Sequence, residues 1–147
     1  MSTVSPLLFL ILIPLVAAVL VMLGGKSRTV SLFASASNLI LLLVLATKFR
    51  ASEAGFQFVS SFPVVPQLGI NFILGADGLS FVMLFLSTAV TLAAVAVARP
   101  PVENDRWFYI SLLMISAGVI GAFASVDVFL FYMFHELALI PTFLLIG

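Results

Sequence analysis

The sequence predicts an all-α integral membrane protein of about five transmembrane helices, with a short β-hairpin-like loop between the second and third. Three observations carry that reading. Hydrophobic residues make up 63% of the 147 positions and charged residues only 8%, whereas a soluble domain carries about 25% charge. Five apolar runs approach the roughly 20 residues that cross a bilayer. All six Lys and Arg residues fall between those runs rather than within them.

The first span is expected at about 7–23, closed by Gly24-Gly25. Met1 to Pro6 holds no Lys or Arg. A secretory signal needs a positive leading segment, so this run is read as a retained helix. The second span covers about 30–46 and the third about 77–97. Asp77 is a suitable N-cap for the third, and Pro100-Pro101 forms a stop just beyond it. The fourth span, about 107–124, opens on the interfacial aromatic Trp107, and the fifth occupies 128–147. Only Ser125, Val126 and Asp127 separate the last two, which predicts a tight antiparallel helical hairpin.

Residues 49–76 differ in kind. Phe56-Gln57-Phe58-Val59 and Ile70-Asn71-Phe72-Ile73-Leu74 alternate, with the Pro-punctuated Phe62-Pro63-Val64-Val65-Pro66 between them. Two short alternating runs about such a turn predict a small β-hairpin on the membrane surface. Lys26, Arg28, Arg99 and Arg106 lie in the first and third loops, against Lys48 and Arg50 in the second. The excess of basic residues places loops one and three on the cytoplasmic or matrix side. The N-terminus, the 49–76 loop and Ser125–Asp127 then face outward.

Composition also excludes several chemistries. Net charge is zero with scattered basic residues, which argues against nucleic-acid binding. Without cysteine there is no disulfide, zinc–thiolate site or cysteine-held iron–sulfur cluster. The single histidine has no carboxylate partners at metal-binding spacing. Fifteen phenylalanines are ordinary for lipid-facing helices.

Two seams recur at helical spacing. Ser31, Ala34, Ser35 and Asn38 share one face of the second span; Ala117, Gly121 and Ser125, with Gly118 and Ala122 alongside, mark the fourth. Small residues at this spacing permit close helix approach. A hydrated conduit lined by Ser31, Ser35 and Asn38 is the alternative, because a mid-membrane amide needs partners.

Glu136 is the acid near the middle of the fifth span. A carboxylate there costs roughly 2.5–3.5 kcal/mol on insertion scales, so a proton or ion pathway is the default expectation. Away from water a carboxylate favours its neutral form and beside a cation its charged form, so a group alternating between the two takes up and releases a proton. Tyr132 and Ile140 share its helical face, which makes the Tyr132 hydroxyl a candidate hydrogen-bond partner. Histidine exchanges protons near physiological pH, so His135 is a candidate relay, with simple packing as the alternative. Asp127 lies nine residues earlier, roughly 13 Å away, and is read as a helix cap. Pro141 cannot donate to the carbonyl of Leu137. A kink and a hydration site are expected there, through which Glu136 would exchange protons.

Phe134-His135-Glu136-Leu137-Ala138-Leu139-Ile140-Pro141-Thr142-Phe143 and Gly75-Ala76-Asp77-Gly78-Leu79-Ser80 resemble the chain M family of NADH:quinone oxidoreductase, respiratory complex I. Its mitochondrial counterpart is NADH dehydrogenase subunit four. The Leu-Ile-Pro-Thr run after the glutamate favours chain M over the sister subunits L and N. The resemblance implies that residues 1–147 are the N-terminal part of an antiporter-like membrane module. Glu136 then matches an essential intramembrane glutamate that pairs with a lysine on a later helix, as part of proton translocation coupled to quinone reduction elsewhere.

FMN and iron–sulfur clusters would reside in partner subunits, with no cofactor in this chain. The partners implied are the other membrane-arm subunits and the lipid bilayer, with quinone handled elsewhere. The setting implied is a bacterial inner membrane with an extracytoplasmic N-terminus, or a mitochondrial inner membrane. Family members carry many more helices in inverted repeats, and no Lys or Arg lies within a span here, so the pairing lysines are missing. Competing expectations are a subunit of a cation/proton antiporter or membrane-bound hydrogenase, and a small membrane scaffold that transports nothing.

Overall fold

Helices form the chain in the order α1 (Pro6–Met22), α2 (Ser27–Lys48), α3 (Gly78–Val97), α4 (Asp105–Ala124) and α5 (Val128–Ile146). The antiparallel strands β1 (Gln57–Val65) and β2 (Ile70–Ala76) lie between α2 and α3. This computed structural model describes residues 6–50, 52, 55–99 and 105–146, without the side chains of 62, 64 and 70. Met1 to Ser5, the expected stop Pro100-Pro101 and the terminal Gly147 lie outside the described residues.

Helices α2 to α5 are long and apolar enough to cross a membrane, and α1 is a shorter apolar helix of 17 residues. At 1.5 Å per residue α1 rises about 26 Å, a few ångströms less than a hydrocarbon core of about 30 Å. Gly24, at φ 108°, turns the chain out of α1, a conformation that glycine adopts without steric cost. Asp77 caps α3 by accepting from the Ser80 N–H at 2.7 Å. Asp127 holds the start of α5, accepting at its side chain from Phe129 N–H at 3.2 Å and at its carbonyl from Phe131 N–H at 2.9 Å.

The first and third loops meet at one end, as their shared side requires. There the Arg28 guanidinium donates to the Ala96 carbonyl at 2.8 Å. Helix α4 is the hub, packing on α1, α2, α3 and α5. A little over half of its apolar length, 56%, is buried, against 11% for α5. Leu7, Leu10, Leu42, Leu84, Ile120 and Leu130 form one core cluster, and Ala17, Val21, Ile110 and Leu113 a second.

The hairpin forms about a Pro-containing turn, set at the far end of the Pro-punctuated stretch rather than at its centre. Pro63 pairs within β1 opposite Asn71, and the chain reverses later, through a single 3-10 turn at Pro66–Leu68 and a left-handed Gly69 at φ 68°. Proline lacks only the donor and is tolerated in an edge strand, and both strands of a two-stranded sheet are edges. Nor does the hairpin simply lie on a surface. Leu74 and Ala76 of β2 are buried in the bundle core. Ile73 accepts from the Val126 N–H at 3.0 Å, and Leu74 bridges to Ser125. Thus β2 seals one end of the bundle across the α4–α5 turn.

Candidate functional site

The position of Glu136 follows from how α5 meets α4. A Cβ on Gly118 would lie 2.8 Å from Ala138 and 2.9 Å from the Phe134 carbonyl, and one on Gly121 would overlap the Phe134 ring. The α4 glycines are therefore a packing seam for α5, the role that their spacing suggests. Leu130, Ala138 and Pro141 are the buried residues of α5. Glu136 is two residues from both Phe134 and Ala138, which turns it about 200° from that seam.

The acid thus points away from the other four helices. It is half-buried, beside exposed His135, Leu139 and Ile140. Tyr132 lies one turn earlier on the same face, 62% exposed, and its hydroxyl interacts with the Glu136 carboxylate. His135 is instead turned to Phe131, their rings stacked with centroids 6.2 Å apart. The structure therefore brings Tyr132 to Glu136 but leaves His135 on a neighbouring face. Pro141 lies inside α5 on its buried side. Among the described residues no group of three or more His, Asp or Glu converges on a metal-sized site.

A second polar region lies inside the bundle. Ser31, Ser35 and Asn38 of α2 are buried, as is Thr88 of α3, and Ser116 of α4 faces them. Ser35 donates to the Ser31 carbonyl at 2.8 Å, Thr91 lies 3.3 Å from Ser116, and Asn38 Nδ2 donates to the Leu10 carbonyl at 3.1 Å. The cleft between Pro14, Ser35, Asn38, Thr88, Thr91 and Ser116 is too narrow to admit a water molecule. That cleft is closed packing rather than a conduit, while Ser31 Oγ and Asn38 Oδ1 are buried without a hydrogen-bond partner among the described residues. Sequence reading missed the threonines of α3, although Thr88 and Thr91 stand at i, i+3. It also missed the link between Asn38 and Pro14.

No protein-family profile matches the chain. Curated relatives do. The chain is 36% identical over 146 residues to NAD(P)H-quinone oxidoreductase chain 4 2 of Synechococcus elongatus, covering 94% of this chain and 27% of that protein. It is 37% identical to the chloroplastic NAD(P)H-quinone oxidoreductase chain 4 of Chara vulgaris, covering 94% of this chain and 29% of that one. Among solved structures, a chain of respiratory complex I from Thermus thermophilus with bound NADH superposes with a TM-score of 0.79 at 27% identity. That match covers 94% of this chain and 28% of the other. A chain of the membrane-bound sulfane sulfur reductase, an archaeal respiratory membrane complex, shares the fold at a TM-score of 0.77 and 22% identity, over 92% of this chain and 22% of that one.

The 147 residues thus span little more than a quarter of the curated relatives they match. Over that span sequence and fold agree, and the chain belongs to the NAD(P)H-quinone oxidoreductase chain 4 family.

Proposed function

We propose that this chain is part of the proton-translocating membrane subunit of an NADH:quinone oxidoreductase, and that Glu136 carries the proton. One observation supports the assignment most directly: the single acid within an apolar helix sits on the face of α5 turned away from α4. An intramembrane carboxylate needs a partner or a wet cavity, and these five helices leave that face open for one. A cation arriving from a further helix or a neighbouring subunit would favour the carboxylate, and its withdrawal would favour the acid. Tyr132 holds the side chain from below. In this reading FMN, the iron–sulfur clusters and quinone reduction would belong to partner subunits, and the lack of cysteine fits that for the cysteine-held clusters.

The relatives support a place among the membrane subunits of such a complex, and the bacterial inner membrane, or the mitochondrial one, is the proposed setting. The basic end formed by Lys26, Arg28, Arg99 and Arg106 would face the cytoplasm or matrix, with the hairpin on the opposite side. The deciding experiment is Glu136→Gln in the assembled complex. Complex abundance is expected to hold while NADH-driven proton uptake by inverted vesicles falls. Normal uptake in that variant would refute the role.

A second reading is a membrane subunit of another multi-subunit complex, such as a cation/proton antiporter or a membrane-bound hydrogenase, since this fold also occurs in a membrane complex other than complex I. Isolating the native assembly and testing it for NADH dehydrogenase activity separates the two.

A further inference from the structure

We propose that the outward groove between α1 and α2 binds an acyl chain of an anionic phospholipid whose headgroup sits at Lys26. The groove has a volume of about 560 Å³ and is lined by Phe9, Leu12, Val16 and Leu20 of α1 and Val30 and Phe33 of α2, all but Val30 substantially exposed. Its length suits an acyl chain. From Phe9 to Leu20 the helix rises about 16 Å, close to half of a hydrocarbon core of about 30 Å, which is the depth of one leaflet.

Charge fixes which lipid. The groove opens toward the α1–α2 turn, where Gly25 packs so closely on Leu20 and Val30 that a Cβ there would lie 2.9 Å and 3.2 Å from them. Lys26 follows immediately and is exposed, and Thr29 lines the same end. Arg28, bound to Ala96, and the exposed Arg99 and Arg106 make this end of the bundle basic. Basic clusters beside membrane helices attract anionic headgroups. An acyl chain seated between Val16 and Phe33 therefore places its phosphate beside an ammonium. The site lies away from the Glu136 face and does not depend on proton transfer there.

The test uses the protein in its native assembly, reconstituted in phosphatidylcholine nanodiscs that contain a phosphatidylglycerol with a diazirine in one acyl chain. After irradiation, adducts are expected on Leu12, Val16 and Phe33. Unlabelled phosphatidylglycerol should compete and phosphatidylcholine should not. Lys26→Gln should lower the yield about fivefold, the factor for one basic residue at an anionic surface. Val16→Trp, which fills the groove and keeps Lys26, should abolish the adducts on Phe33. Equal labelling of the outward faces of α3 and α5, or a yield indifferent to Lys26→Gln, would overturn the proposal. So would a benzophenone at Val16 that crosslinks a protein chain in native membranes.

Discussion

The amide of Asn38 donates to the carbonyl of Leu10, which is the group that Pro14 leaves without a helical donor. In a regular helix the N–H of residue 14 would bond to the carbonyl of residue 10, and proline has no N–H to give. Asn38 supplies the missing donor from α2. The polar residue in one helix and the helix-breaker in another thus form a single interhelical device. Asn38→Leu should therefore destabilise the bundle by about 1 kcal/mol, within the range of interhelical hydrogen bonds in membranes. In a Pro14→Ala background, where α1 satisfies its own carbonyl, the same change should cost markedly less. A double-mutant cycle on unfolding in detergent checks this, and additive costs would dissociate the two residues.

The α4–α5 seam leaves no space for a side chain. Gly118→Ala places a methyl against the Ala138 and Phe134 backbone, which cannot retreat as a side-chain tip can. Overpacking of this kind costs about 1–3 kcal/mol. Gly121→Ala meets the Phe134 ring first and should be largely rescued by Phe134→Leu, whereas Gly118→Ala should not. Protease sensitivity of the α4–α5 turn would report the loosening of α5.

At the start of α3 the Ser80 N–H holds the Asp77 carboxyl below its ordinary value of 3.8. A depressed value means that the capping contribution is complete above the unfolded carboxylate range and is lost as pH falls through the folded value. Asp77→Ala should cost about 1 kcal/mol at neutral pH, typical of a lost N-cap. Asp77→Asn should keep most of the cap and remove its loss in acid below about pH 4. Thermal unfolding of the three proteins at pH 7 and in acid distinguishes these outcomes.

Around Glu136, Tyr132→Phe should slow proton translocation less than Glu136→Gln, because it removes a partner and not the carrier. His135→Leu should have little effect, since His135 is turned to Phe131. NADH-driven proton uptake compares all three in one assay, and a His135 variant as impaired as Glu136→Gln would restore it as a relay. Pro141→Ala tests the expected hydration site: unchanged transport rates would show that the Leu137 carbonyl, to which Pro141 has no N–H to give, plays no part in proton exchange.

The helical architecture was legible because length and hydropathy decide it almost alone, with Asp77 and Asp127 visible as caps ahead of apolar runs. The glycine seam of α4 was legible as well, since spacing of small residues has one dominant structural use. The exact place of the hairpin turn was not, because Pro63 reads as a breaker until its pairing opposite Asn71 shows that β1 runs on past it. Nor was the pairing of Asn38 with Leu10, which joins residues on two helices and depends on their axial register. The direction of Glu136 could not be read either: α5 is apolar all round, and only contacts with Gly118 and Gly121 show which side is turned inward.

The hydrogen bond from Val126 to Ile73 and the stacking of Phe72 on Phe129, with centroids 6.4 Å apart, tie β2 to the first turn of α5. Helix α5 is otherwise gripped along one side only. The hairpin and the α4–α5 turn are thus one joint, which fixes the start of α5 at Asp127, some 13 Å along the axis from Glu136.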